Sequence, residues 1–257
     1  MGKDLSLPVG FMLMAFKNGD RVLLIGANKL SGMVGEGIGS HLGIVDTKKL
    51  AGKKEGTVIK THLGKRFMAI KPTVIDIVTS MKRGPQVILP KDASEIIAVT
   101  GVNKDSVVLD VGSGSGWLSV FLSYYAKQIY TFEKEKDFYG IAKSNIGRSA
   151  NGNVKIERRD VIARGFGKKG ADLVTIDLRE PHKVIPHAFR SLNKGGWVFC
   201  HCPVIEQVKN VCKTFEKLGF SDIRVIQNVS QEWKVNPTRP AKQEIGHTAF
   251  LVFGRKL

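Results

Sequence analysis

Apolar residues fall in short runs through the first part of the chain and in alternating strand-like and helix-like patterns through the rest. Two such runs, within residues 10–26, flank Lys17-Asn18-Gly19-Asp20. Asn-Gly between apolar runs predicts a β-hairpin, because both central residues of the tight turn need positive φ. Residues 32–39, rich in glycine, predict a flexible turn. Further short strands are expected at Ile44-Val45, residues 57–59 and residues 67–70. Residues 1–72 are therefore expected to form a small β domain. Apolar positions at helical spacing then cover residues 73–81 and stop at Gly84-Pro85, and a second helix is expected to open at Asp92, with Glu95 three residues on as in a capping box. This helical lead-in, residues 73–100, opens a second domain of residues 73–257.

That second domain is organised around Val107-Val108-Leu109-Asp110-Val111-Gly112-Ser113-Gly114-Ser115-Gly116-Trp117. An apolar run breaking into alternating glycines and then into a helical pattern predicts a buried strand turning sharply into a helix. Strands are expected at residues 128–132, 154–157, 171–176 and 197–202, alternating with helices at 117–126, 138–150, 182–192 and 205–218. Such alternation implies a parallel α/β sheet covered on both faces. Residues 222–229 and 248–254 read as two strands joined by a basic loop with no helix, an antiparallel hairpin at the sheet edge.

Composition adds one decisive bias. The 257 residues carry a net charge of +17, which points to nucleic acid or another polyanion as partner, because phosphates reward clustered Lys and Arg through counterion release. Residues 48–54 form one such basic cluster. Cys200, Cys202 and Cys212 do not make a disulfide framework. Cys200-His201-Cys202 lacks a second ligand pair at metal spacing, so both cysteines read as core residues on one strand face and no metal is expected. No apolar run reaches membrane-span length, and residues 5–16 make a poor signal peptide, interrupted by Pro8 and Gly10 with Asp4 where positive charge belongs. A cytoplasmic protein that does not enter membranes is expected.

In a doubly wound sheet, ligands bind beyond the carboxyl ends of the strands at the switch point. Gly112, Gly114, Gly116, Glu133, Asp160 and Asp177 are expected to converge there. Glu133 lies roughly twenty residues after the first glycine, where a strand-end acid takes ribose hydroxyls. Capping of helices or turns is the competing use of these acids. The spacing Gly-x-Gly-x-Gly differs from the dinucleotide Gly-x-Gly-x-x-Gly, which disfavours a nicotinamide oxidoreductase, and Asp110 before the glycines suits a cationic ligand better than a diphosphate.

Together with the terminal hairpin, this pattern resembles the class I S-adenosylmethionine-dependent methyltransferases, which implies a Rossmann-like seven-stranded sheet. The resemblance implies that Asp110 and the loop Gly112-Ser113-Gly114-Ser115-Gly116 face the methionine moiety, Glu133 the ribose and Asp160 the adenine amine. Ser40-His41-Leu42-Gly43-Ile44-Val45-Asp46, Met81-Lys82-Arg83-Gly84-Pro85-Gln86, Asp177-Leu178-Arg179-Glu180-Pro181 and Gly246-His247-Thr248 narrow it further. These are similar to motifs of the tRNA (adenine-N1) methyltransferases that act on the T-loop. That family implies methyl transfer to N1 of a T-loop adenine, a homotetramer, Gln86 over the cofactor, and Asp177 as the catalytic acid side chain. The chain departs from the family at Ile77, Arg179 and His182, all on the adenine side. Lys82, Arg83, Lys234, Arg239 and Lys242 are the expected RNA contacts. An isoaspartyl or corrinoid-precursor methyltransferase, and a non-catalytic tRNA-binding homologue, are the competing readings.

Overall fold

The computed structural model describes residues 15–82, 88–240 and 246–257. They fall in two compact units, divided between Ser80 and Met81.

In the first unit, β1 (Arg21–Ile25) lies between β2 (Lys29–Met33) and β6 (Arg66–Ile70), with β5 (Thr57–Lys60) outside β6. A separate hairpin joins β3 (Gly37–Ser40) to β4 (Gly43–Asp46). Phe16, Leu24, Val45, Leu50 and Phe67 are the centre of its core. Three expectations change here. The Asn18-Gly19 turn forms, but it does not join paired strands: Phe16 on its near side bonds to the Lys53 carbonyl, and Ala15 bridges to Lys54. The glycine-rich stretch is mostly strand, with only residues 34–36 left as a turn, because Gly32 lets Ile38 close against the backbone of β2. Finally, α1 (Val74–Ser80) belongs to this unit rather than to the next, held by the Asp76 carboxylate, which accepts from Thr73 and stands 3.6 Å from Lys29 Nζ.

The second unit begins with α2 (Pro90–Thr100) and continues as β7 (Val107–Val111), α3 (Trp117–Leu122), β8 (Gln128–Glu133), α4 (Lys136–Ser149) and β9 (Val154–Arg158). Then come α5 (Val161–Arg164), β10 (Ala171–Ile176), α6 (Ile185–Ser191), β11 (Leu192–Cys202), α7 (Ile205–Leu218) and β12 (Phe220–Ile226). The short strands β13 (Trp233–Val235) and β14 (Thr238–Pro240) precede β15 (Phe250–Lys256). The sheet order is β12-β15-β11-β10-β7-β8-β9, with β15 antiparallel to both neighbours and the strands from β11 to β9 mutually parallel. This is the seven-stranded α/β sheet expected for a class I methyltransferase. Its interior strands are buried apolar runs, as a sheet covered on both faces requires.

At the sheet edge the outcome is more specific than a hairpin. β15 is inserted between β11 and β12, so only β12 is an edge strand, and the basic loop between them contains a second hairpin, β13–β14. Asp92 is not a cap: Leu89 holds the N-cap position of α2, and the Asp92 carboxylate, 0% exposed, accepts from Lys91 Nζ at 2.8 Å and from Thr248 Oγ1 at 2.9 Å. Lys91 Nζ also donates to the Asn228 carbonyl and to Thr248. A buried charge of this kind is tolerated only when paired and fully hydrogen-bonded, and here the pair ties α2 to the segments flanking the terminal hairpin. No helix among the described residues is long and apolar enough to cross a membrane.

Candidate active site

β7 and β10 are neighbours from which the chain winds in opposite directions, β8 and β9 to one side and β11 to the other. The loops leaving their carboxyl ends therefore part and leave a crevice. A cleft of about 500 Å³ opens there, with Gly112, Glu133, Asp160, Phe138, Ile162 and Leu178 in its wall.

The loop after β7 needs its glycines. Gly112 has φ +86°, and a Cβ on it would clash with the carbonyl oxygen of Asp177. The two strands converge at this point: the Asp177 amide donates to the Val111 carbonyl and the Gly112 amide to the Phe132 carbonyl, each at 3.0 Å. Gly116, φ +79°, is the N-cap of α3 and lies against Ala142 and Ile146 of α4. Between them Gly114 donates its amide to Glu133 Oε2 at 3.1 Å.

Glu133 closes the floor. Its Oε1 accepts from the amides of Lys134 and Glu135 at 2.9 and 3.0 Å, so three backbone donors hold one carboxylate. A carboxylate has about four acceptor sites. One remains for a ligand hydroxyl. Asp160 caps α5 by accepting from the Ala163 amide at 3.2 Å, and it also lines the cleft.

Asp110 is placed differently from its expected position on the ligand side. It is 2% exposed and turned into the sheet, where it accepts from the hydroxyls of Ser119, Thr131 and Thr175. Burial raises its pKa; the three hydroxyls work against that rise, and the charge of Asp177 adds to it. Alternation along β7 explains the orientation, since Asp110 and the cleft-lining Val111 point to opposite faces. Ser113 shares its hydroxyl with Thr131, and the Ser115 carbonyl accepts from Asn145 Nδ2, so both serines stabilise the loop. Sequence patterning does not disclose these hydroxyl partners, which are single polar positions inside apolar elements.

Asp177 stands beside the cleft, its side chain 35% exposed, and accepts from His201 Nδ1 at 3.2 Å. His201 is the candidate site residue that motif reading passes over. Its signal was available: Cys200 and Cys202 are buried on one face of β11, which places His201 on the other face, and the pairing of Ile176 with Cys200 puts it level with Asp177. The cysteines are core residues. Burial drives the Cys202 thiol up to about 12 and that of Cys200 well above its ordinary value. No group of His, Cys, Asp and Glu among the described residues could hold a metal ion.

Of the expected RNA contacts, Lys234 and Arg239 are exposed and directly opposed across β13–β14. Lys82 is exposed, its carbonyl accepting from Asn145 at 2.9 Å. Gln86, Arg83 and Lys242 lie outside the described residues.

Comparison with known proteins follows this geometry. The family described as "tRNA methyltransferase complex GCD14 subunit" matches residues 68–239. A tRNA (adenine(57)-N(1)/adenine(58)-N(1))-methyltransferase of Methanocaldococcus jannaschii is 29% identical over 86% of this chain and 88% of its own length. A tRNA (adenine(58)-N(1))-methyltransferase of Thermus thermophilus is 29% identical over 84% and 87%. Among solved structures, an S-adenosylmethionine-dependent O-methyltransferase from Thermotoga maritima superposes with a TM-score of 0.82 at 30% identity, covering 97% of both chains. The tRNA (m1A58) methyltransferase of Aquifex aeolicus gives 0.76 at 30% identity, over 95% of this chain and 99% of its own.

Proposed function

Since the chain belongs to the family of the tRNA methyltransferase complex GCD14 subunit, we propose that it transfers a methyl group from S-adenosylmethionine to N1 of a T-loop adenine in tRNA. The two solved neighbours, an O-methyltransferase and a tRNA methyltransferase, share one fold, and a fold alone does not choose between substrates. The family match and the curated relatives favour tRNA, and a net charge of +17 suits that substrate better than a small hydroxylated one. The observation that carries the reading is the convergence of Gly112, Glu133 and Asp160 on one cleft at the switch point, with Asp177 at its rim.

The donor set fits a nucleoside cofactor with a cationic centre. Carboxylates at Glu133 and Asp160 accept from hydroxyl or amine groups, Phe138, Ile162 and Leu178 supply apolar wall, and the acids that stand beside Gly112 in this cleft disfavour a diphosphate. S-adenosylmethionine supplies an electrophilic methyl group when bound. By this reading Glu133 and Asp160 hold the nucleoside, and the Gly112–Gly116 turn shapes the methionine end, with Asp110 acting from beneath by fixing the α3, β8 and β10 hydroxyls. Gln86 belongs to the same proposal.

On the adenine side, N1 becomes part of a cationic ring as the new bond forms. Asp177 faces that charge: a carboxylate accepting from the exocyclic N6 stabilises the cation and can take the N6 proton. His201 keeps the carboxylate turned into place by donating from Nδ1. Lys82, Arg83, Lys234, Arg239 and Lys242 hold phosphates. Like charges opposed across two strands are destabilising, so the Lys234–Arg239 pair is relieved when a polyanion lies over it. The homotetramer and the cytoplasmic location belong to this proposal as well.

Incubating unmodified tRNA transcripts with labelled S-adenosylmethionine, followed by nucleoside analysis, tests the reading. The expected product is 1-methyladenine in the T-loop; label in a sugar hydroxyl or in no nucleoside would reject it. In addition, Glu133→Gln is expected to weaken S-adenosylmethionine binding by about tenfold or more in calorimetric titration. The amide cannot accept from all three backbone donors, and an unsatisfied donor costs about 1–3 kcal/mol.

A further inference from the structure

The loop from α5 to β10 reads Arg164-Gly165-Phe166-Gly167-Lys168-Lys169-Gly170, and its glycines at 165, 167 and 170 all have positive φ. It wraps a cavity of about 560 Å³ whose wall includes Arg164, Lys168, Lys169, His187 and Arg190. None of these four Lys and Arg side chains has a carboxylate within ion-pair distance among the described residues. Two of the cations are held in position. Arg190 Nη2 donates to His187 Nδ1 at 2.8 Å, which leaves the imidazole proton on Nε2 to donate to the Ile162 carbonyl at 3.1 Å. Lys168 Nζ rests 4.4 Å from the centre of the Tyr130 ring. A second cavity, of about 520 Å³, adjoins through Lys168 and Lys169 and adds Lys127 to its wall, and Lys155 lies 5.9 Å from the same Tyr130 ring.

We propose that this strip is a second docking site for the phosphate backbone of the substrate tRNA, remote from the methylated base. Its position follows from the sheet: the strip borders Val107, Gln128 and the start of β10, the amino ends of strands whose carboxyl ends carry the cleft. At about 3.3 Å per residue, the five- and six-residue strands set the Lys127 end of the strip about 17–20 Å from the cleft, while the other end runs back toward it, His187 donating to the carbonyl of the cleft-lining Ile162. A single small anion would need one compact cage. Five cations lining two joined cavities, with no acid in either wall and Lys155 beside Tyr130 as a sixth, instead match a chain of phosphates, each neutralised charge adding counterion release. The inference rests on tRNA being the substrate and explains a requirement of that reaction. Extracting a stacked base costs a few kcal/mol, and phosphate contacts far from the base offset this without crowding the cleft.

Two measurements on the full chain test it. First, acetylation of lysines in the wild-type protein, with and without unmodified tRNA transcript, is read by mass spectrometry; Lys168 and Lys169 are expected to be protected several-fold by tRNA. Second, tRNA binding by Lys168→Ala/Lys169→Ala is measured between about 50 and 200 mM salt. The slope of log affinity against log salt is expected to fall by about one for each lysine, with S-adenosylmethionine affinity unchanged. Lys169→Ala alone, at an exposed position, guards against loss of fold from removing Lys168 at Tyr130, and is expected to lower the slope by about one. Lysines equally reactive with and without tRNA, or an unchanged slope, overturn the proposal. So does a variant whose sedimentation changes while tRNA binding does not, which would make the strip a contact between protein copies. Formation of 1-methyladenine with unprotected lysines defeats this inference alone, whereas protected lysines without any 1-methyladenine defeat the assigned reaction and leave the strip standing.

Discussion

Asp177→Ala is expected to reduce methyl transfer to tRNA by about 10²–10⁴-fold, the range for loss of a positioned acid–base group, while S-adenosylmethionine binding stays within about twofold. The split follows from position. The Asp177 side chain stands beside the cleft, not in its wall, and among the described residues its hydrogen-bond partner is His201. The part of residue 177 that touches the glycine turn is its backbone, which alanine retains. Single-turnover transfer and calorimetric titration on the same preparation check both halves. Transfer within about threefold of the parent would remove Asp177 from the chemistry. A parallel loss of cofactor affinity would make it a structural support of the loop instead. His201→Phe keeps a ring on β11 but removes the donor, and it is expected to lower transfer by less than Asp177→Ala does, because the carboxylate remains.

Gly112→Ala is expected to cost more than any other single methyl group added to this chain, in both stability and cofactor binding. An L-residue at φ +86° pays about 1–2 kcal/mol for its conformation alone. The new methyl would press into the van der Waals space of the Asp177 carbonyl oxygen, so β7 and β10 must part at their carboxyl ends. Backbone on an adjacent strand cannot rotate away as the end of a side chain does. A total loss of about 3 kcal/mol, hence a fall in Tm of roughly 6–12 °C at 2–4 °C per kcal/mol, should accompany loss of S-adenosylmethionine affinity by more than tenfold. A variant with parental Tm would show that the turn relaxes freely. Gly140→Ala, on the exposed side of α4 with nothing within 4 Å of the added methyl, is the control and is expected to be neutral or stabilising.

The contrast between the two halves of the chain shows what patterning can report. From β7 to α7 the apolar runs, their glycine punctuation and their helix–strand alternation located nearly every element, because each buried strand and amphipathic helix meets one large core and carries its burial in its own residues. In the first unit the same local signals misled. Asn18-Gly19 makes its turn, but pairing was decided by Lys53 and Lys54, distant in sequence. Residues 32–39 looked flexible by composition, yet Gly32 and Gly39 lie in paired strands. At the site, strand-end position predicted Glu133 and Asp160 on the cleft, and it also brought Asp177 next to it. What position could not convey was direction. Asp110 turns away into a cage of hydroxyls drawn from three other elements, and His201 acquires its partner only through the register of β10 against β11. Asp92 has the spacing of a cap, but its carboxylate is committed to Lys91 and to Thr248 at the far end of the chain.

The place of β15 between β11 and β12 has a consequence for how the protein is made. Chains emerge from the ribosome amino end first, so β12 is synthesised before the only strand in the sheet that it pairs with. Until β15 arrives, β11 presents an unpaired edge from Trp197 to Cys202, with Val198 and Phe199 in it, the kind of edge that recruits strands from other chains. The nascent protein therefore completes this side of its sheet only when a late strand covers β11 and brings β12 with it, and the interval before that is when a holding chaperone would have most to protect.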